Sequence, residues 1–277
     1  MFLPAFAHLR PLVLGSLLLV LQPAWADLML HPTRLVFDKN QRAAQIELIN
    51  NGTAPATYRI SLVNRRMGET GQFEAIETAG PGEQFADPML RYSPRQITLQ
   101  PGTAQTVRVM LRKPAELAEG EYRSHLQFEL LPEVEGATSI ERQAGAQEIG
   151  VVLNTLVGAS IPVIVRHGAT GATVRLSGLA LATEGKQPLL SLQFEREGSS
   201  SVYGDLNVSF TPAGGAPQVL AQVGGIAVYT PNHVRRAAVP LQVAVGTALA
   251  HGTIAVSYRD RAEAGGKLLA QATLELP

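Results

Sequence analysis

Leu99-Gln100-Pro101-Gly102-Thr103-Ala104-Gln105-Thr106-Val107-Arg108-Val109-Met110-Leu111 is a turn followed by a strand. Pro101-Gly102, with Gln100 and Thr103 beside them, is turn chemistry. From Thr106 onward the side chains alternate, so Val107, Val109 and Leu111 share one face. The same signature recurs along the chain. In Gln45-Ile46-Glu47-Leu48-Ile49, Ile46 and Leu48 share a face. Strand-like runs cover Met29–Phe37, Ala43–Asn50, Ala56–Val63, Arg95–Leu99, Thr103–Leu111, Tyr122–Leu131 and Ile149–Val165. After Gly168 they resume at Ala172–Leu181, Leu189–Phe194, Gly204–Phe210, Gln218–Gln222, Gly225–Tyr229, Arg236–Val243, Gly252–Tyr258 and Leu268–Leu276. Asn51-Gly52-Thr53, Pro212-Ala213-Gly214-Gly215 and Gly265-Gly266 punctuate them. A helical piece of about one turn is expected only around Pro114–Ala118. Short strands at this spacing indicate an all-β chain of sandwiches.

Composition bounds the rest. The 277 residues carry 23 basic and 23 acidic side chains, so there is no electrostatic footprint for nucleic acid or an anionic membrane. With 45% hydrophobic residues the chain can bury a sizeable core, which excludes a disordered class. The absence of cysteine excludes disulfides, a thiol nucleophile, Cys-ligated zinc and iron–sulfur clusters.

Residues 1–26 read as a secretory signal. Arg10 precedes the apolar run Leu12–Leu21, and Ala24-Trp25-Ala26 is an A-x-A cleavage site. The run is about half the ~20 residues a membrane span needs. The mature chain is then expected to begin at Asp27, without the only tryptophan, Trp25. No later stretch is long and apolar enough to span a bilayer.

Arg166-His167-Gly168-Ala169-Thr170 reads as a domain joint: it follows an apolar strand and roughly halves the mature chain. The expected domains are 27–167 and 168–277, each of a size suited to one immunoglobulin-like sandwich. Glu133–Glu148 is polar and aperiodic and is read as a long loop.

Several segments resemble the periplasmic chaperones of the chaperone–usher pilus pathway. His31-Pro32-Thr33-Arg34-Leu35-Val36-Phe37 is similar to that family's opening strand, with its Arg before an apolar pair. Leu99–Val109 resembles its L-x-P-G…V-R turn and strand. Glu121-Tyr122-Arg123-Ser124-His125-Leu126 is similar to its sixth strand, and Ile161-Pro162-Val163-Ile164-Val165-Arg166 to the strand that ends at its interdomain Arg. Tyr258-Arg259-Asp260 followed by Gly265-Gly266 resembles the penultimate turn of its second domain. The likeness is strong in the first half and weak in the second.

The resemblance implies an all-β chain of two immunoglobulin-like β-sandwich domains at an angle, with an interdomain cleft. It implies a periplasmic chaperone that caps pilin or fimbrial subunits by donating an edge β-strand and passes them to an outer-membrane usher. The donor row is Ile149, Val151, Leu153, Thr155 and Val157, on one face at period 2. Three or four such side chains in a client's groove are worth roughly 1.5–3 kcal/mol each. Read without the resemblance, the same run is an ordinary core strand. A bare edge would also let the chain pair with itself, unless the polar segment before it covers the edge. By the same likeness Arg34 is the anchor for a subunit's terminal carboxylate, whose two oxygens suit a planar guanidinium. The family's second cation falls on Pro162, which has neither charge nor N–H, leaving Arg123 on the neighbouring strand as candidate. That departure points to a divergent branch of the family. Glu121 and Asp260 match two carboxylates that bridge to Arg166 and fix the angle between the domains. On the residues alone, Arg34 is a surface ion pair, Arg123 a solvated cation and the trio three unrelated surface charges. The alternative class is a secreted two-domain structural or adhesive protein without a client.

Enzyme readings fail on motifs. There is no G-x-S-x-G, no H-E-x-x-H, no H-x-x-x-H, no P-loop and no G-x-G-x-x-G opening a helix. Ser124 and His125 point to opposite faces of one strand and cannot pair directly. No metal site and no cofactor is expected.

Overall fold

The computed structural model describes residues 28–132, 158–183, 187–244 and 248–277. Ten strands build the first sandwich: β1 (Leu28–His31), β2 (Leu35–Phe37), β3 (Ala43–Asn50), β4 (Ala56–Met67), β5 (Phe73–Ile76), β6 (Leu90–Ser93), β7 (Gln96–Leu99), β8 (Ala104–Leu111), β9 (Gly120–Leu130) and β10 (Gly158–His167). One sheet has the order β1-β3-β8-β6 and the other β2-β10-β9-β4-β5, with β7 pairing β4. Seven strands build the second: β11 (Ala172–Ala182), β12 (Leu189–Gly198), β13 (Val202–Pro212), β14 (Gln218–Val228), β15 (Val234–Pro240), β16 (Gly252–Asp260) and β17 (Leu268–Leu276). Its sheets run β11-β12-β15 and β14-β13-β16-β17. The all-β, two-sandwich class expected from the sequence is the class observed.

The alternation in the sequence becomes burial. In β8, Val107, Val109 and Leu111 are buried while Thr106, Arg108 and Met110 are exposed. They meet Ile46 and Leu48 of β3 and Leu126, Phe128, Val163 and Val165 of the facing sheet in one core. A second core gathers Leu190, Phe194, Leu206, Val208, Phe210, Ile254, Val256 and Tyr258. A smaller apolar group lies between the two sandwiches: Met67 and Ile164 from the first, Ala227 and Tyr229 from the second, with Val36 and Tyr203 packed against them. The joint turns at Gly168, whose φ is +71°, and a Cβ there would overlap the Glu119 side chain.

Four details depart from the sequence reading, the first being that the runs Gln218–Gln222 and Gly225–Tyr229 become one strand, β14 (Gln218–Val228). The run Met29–Phe37 is two strands, not one: β1 pairs β3 in one sheet and β2 pairs β10 in the other. Pro32 stands between them and cannot donate to a ladder, so the chain changes sheets there. Pro114–Ala118 is a turn without helix, and the helical pieces described are the 3-10 turns Asp87–Met89 and Ala262–Ala264. β5 and β6, four residues each, have no counterpart among the expected strands.

Phe128 is fully buried in the first core. Phe128→Ala is expected to cost about 3–5 kcal/mol through lost burial and the cavity left. Urea unfolding followed by far-UV circular dichroism measures it as a lower midpoint at unchanged slope.

Candidate functional site

The donor row Ile149, Val151, Leu153, Thr155 and Val157 lies outside the described residues, as does Glu133–Glu148. The strand that continues from that row is β10. Along its whole length, from Gly158↔Glu129 to His167↔Gly120, one margin pairs antiparallel with β9. Its other margin is paired only over Val163–Val165, where β2 lies parallel in the register Val163↔Leu35 to Val165↔Phe37. Among the described residues, Gly158–Pro162 therefore presents one unpaired margin. Pro162 sits in that half, where sheets tolerate a residue without an N–H.

Arg34 immediately precedes β2, one step before the first pair with β10 and so level with Pro162. It stands where the unpaired margin ends. Its guanidinium carbon lies 4.6 Å from the ring centre of Tyr203 and 5.6 Å from that of Tyr229. Both rings belong to the second sandwich. Arg34 Nη1 is buried and finds no hydrogen-bond partner among the described residues. Arg123, 8% exposed, stacks on Tyr229 at 4.3 Å. It donates to the carbonyls of Arg65 (3.2 Å) and Thr230 (3.4 Å). The structure thus brings the two anchor candidates to one tyrosine. Such cation–π contacts are worth about 0.5–2 kcal/mol each, most where water is excluded. Burial pushes the Arg123 guanidinium below its ordinary range and the Tyr229 hydroxyl above its own. A small recess lined by Arg65, Glu83, Gln84, Phe85, Arg123 and Thr230 lies alongside, between the sandwiches.

Glu121 and Arg166 face each other as the directly paired residues of β9 and β10. Arg166 Nε donates to Glu121 Oε2 at 3.1 Å, and the Glu121 side chain has no exposed surface. The same carboxylate accepts the Ser201 N–H at 3.0 Å and the Ser201 hydroxyl. Arg166 also donates from Nη2 to the Ser201 carbonyl at 3.3 Å and meets Asp38 at 3.6 Å. Asp260, expected as the second carboxylate, instead accepts the Arg261 N–H at 3.1 Å, and the ion pairs of Arg166 are to Glu121 and Asp38. The second sandwich contributes Ser201, a backbone-anchored partner, where an acid was expected. The reason is local: Asp260 closes β16 and turns into the 3-10 piece that follows.

Ser201 is held in place by Arg196, a fully buried arginine the sequence reading missed. Arg196 donates to the carbonyls of Gly198 (2.7 Å), Ser200 (2.9 Å) and Asn232 (2.9 Å). It ties together the two loops that face the first sandwich. From the first sandwich, the turn between β4 and β5 reaches back. The Asn232 amide donates to the Met67 carbonyl at 2.7 Å, and the Arg236 N–H to the Glu69 carbonyl at 2.6 Å. Tyr203, Tyr229 and Arg196 carry no sequence motif; for the two tyrosines an aromatic beside a Gly/Pro turn was the only signal, and Arg196 had none.

Ser124 is a structural pin. Its hydroxyl donates to Asn64 Oδ1 at 2.6 Å and accepts the N–H groups of Ala86 and Asp87. His125 is 3% exposed, packs edge-on against Phe73 at 5.3 Å, and neither ring nitrogen has a hydrogen-bond partner among the described residues. Among those residues no group of three His, Asp or Glu side chains could hold a metal, and no helix is long and apolar enough to cross a membrane.

No protein-family model matches the sequence, and a search of curated proteins gives no match. The chain is similar to solved structures of chaperones. One is the CsuC–CsuE complex of a chaperone with a tip adhesion subunit, from the archaic chaperone-usher Csu pili of Acinetobacter baumannii (12% identity, 91% of this chain and 98% of that chain, TM-score 0.44). Another is the YadV chaperone (13%, 90% and 100%, 0.44). A third is the Escherichia coli chaperone DraB (12%, 91% and 97%, 0.42).

His125 makes the fold sensitive to acid. Burial first, then the charges of Arg123 and Arg65, lower its pKa from 6.5 to about 3. Below pH 6.5 the unfolded chain takes up a proton that the folded chain refuses. Stability from this group is therefore whole above about pH 6.5 and falls as pH drops toward 3, by at most about 1.4 kcal/mol per pH unit. In urea titrations at stepped pH, His125→Leu is expected to flatten that part of the profile.

Proposed function

We propose that the chain is a periplasmic chaperone for pilin-type subunits, holding each by strand addition and releasing it to an outer-membrane usher. The observation that supports this most directly is the half-paired β10. A margin of unpaired N–H and C=O groups is a template for a further strand. On the Gly158–Pro162 half such a strand would lie in line with β2, which takes up the same margin from Val163 onward. A client strand running in the direction of β2 would end at Arg34. There the Nη1 group has no hydrogen-bond partner among the described residues, and a terminal carboxylate would supply one. Arg123, against the same Tyr229 ring as Arg34, is the second cation of this anchor. The apolar row Ile149, Val151, Leu153, Thr155 and Val157 precedes β10 in sequence and would fill the client's groove with alternate side chains.

In this reading Glu121, Arg166 and Ser201 keep the sandwiches in the relation that brings Tyr203 and Tyr229 onto the anchor. Nothing in the cycle needs ATP or a metal. Release follows when another strand displaces the donor row pair by pair. Residues 1–26 serve as the export signal.

Co-expression in a periplasm with pilin subunits encoded beside ushers tests the proposal. The parent is expected to form a stable one-to-one complex. Leu153→Glu with Val157→Glu is expected to abolish capture and leave the circular dichroism spectrum unchanged. Arg34→Ala is expected to weaken capture about tenfold to a hundredfold, the worth of one charge-assisted hydrogen bond. A parent that captures no subunit, or a double variant that captures as well as the parent, overturns the reading in favour of a secreted structural protein. Unchanged affinity in Arg34→Ala removes that residue from the anchor.

A further inference from the structure

At the far end of β10 from the unpaired margin lies a hollow of about 270 Å³, lined by Lys39, Asn40, Gln41, Arg42, Leu111, Arg112, Lys113 and His167. Four of those eight side chains are permanent cations and a fifth is a histidine. The chain as a whole is neutral, so this is a local concentration of charge. Among the described residues none of the five makes an ion pair. The acid next to Lys39 in sequence, Asp38, is turned to Arg166 instead.

The hollow is built on fixed backbone. It joins the β2–β3 loop, the end of β8 and the end of β10. The Leu111 N–H donates to the Arg42 carbonyl at 2.8 Å, which fastens the loop to β8. The Arg112 N–H donates to the Met89 carbonyl at 2.8 Å. Lys113 Nζ donates to the Arg166 carbonyl at 2.7 Å, which fastens β8 to β10. Lys39 itself takes a left-handed conformation, φ +50°, uncommon for a residue with a side chain. Like charges gathered with no ion-pair partner among the described residues repel and weaken the fold; an anion among them reverses the sign.

We infer that this hollow binds a phosphate group. A carboxylate offers two oxygens in one plane, which a single arginine fork satisfies. Here Lys39 and Arg42 come from the β2–β3 loop and Arg112 and Lys113 from the end of β8, so two guanidinium and two ammonium side chains border the hollow from two segments, a set suited to a tetrahedral oxyanion with acceptors on every side. Asn40 and Gln41 add neutral amides at the rim. The hollow is separate from the anchor at Arg34, so this inference stands apart from the chaperone reading.

The test is titration of inorganic phosphate into the whole protein by calorimetry, with ionic strength held constant by potassium chloride, and thermal unfolding in parallel. Saturable binding and a raised unfolding midpoint are expected. Arg42→Gln with Arg112→Gln is expected to weaken binding tenfold or more. Arg59→Gln with Arg108→Gln, two exposed arginines elsewhere on the same sandwich, is expected to bind within twofold of the parent. Chloride giving the same heat and midpoint shift as phosphate overturns the inference. So does an R42Q/R112Q protein that binds phosphate like the parent. Flotation with phosphatidylglycerol or phosphatidylcholine vesicles separates the sources. Anionic vesicles that float the parent and not R42Q/R112Q identify a lipid headgroup. Phosphate binding without that vesicle difference identifies a soluble phosphate compound.

Discussion

Glu121 is a carboxylate sealed from water that serves two sandwiches at once. It accepts from Arg166 on the neighbouring strand and from the backbone and hydroxyl of Ser201 across the joint. Burying such a charge is tolerable only because each donor is in place, and removing one partner typically costs about 3–5 kcal/mol. The contact fixes more than it stabilises. Ser201 leads directly into β13, which carries Tyr203, and its hydroxyl accepts the Thr230 N–H beside Tyr229. The two rings that cover Arg34 and Arg123 thus hang from the residue that Glu121 holds. Loosening Glu121 would move the rings before it unfolded either core.

That chain of dependence explains what the sequence could and could not disclose. Period-2 alternation is a property of single strands, so Val107, Val109 and Leu111 announced their core face unaided. Glu121 and Arg166 were legible through likeness to a known pattern, because they sit opposite each other on adjacent strands. Ser201 and Tyr229 were not. Their roles arise where two loops of the second sandwich meet the first, and no local period encodes such a meeting. Asp260 shows the same limit from the other side: the matching residue is present, but a turn one residue later draws its carboxylate to Arg261.

Pro162 shows how one residue can carry two consequences. It sits level with Arg34 and brings no charge there. As a residue without an N–H it also suits a strand margin that must stay unpaired. On the adjacent strand, Arg123 reaches the same tyrosine as Arg34. Two cations from neighbouring segments of the first sandwich against one ring of the second is an arrangement that exists only when the sandwiches are docked.

β10 links this arrangement to the basic hollow at its other end. From the level of Pro162 to His167 is five residues, roughly 17 Å of strand. That is about twice the screening length of roughly 8 Å in physiological salt. The two groups of cations are therefore screened from each other through solvent. Any influence of one on the other must travel through the strand, and the strand passes Arg166. A ligand that draws Lys113 away from the Arg166 carbonyl would act on the residue that Glu121 binds, and through Ser201 on the rings above Arg34.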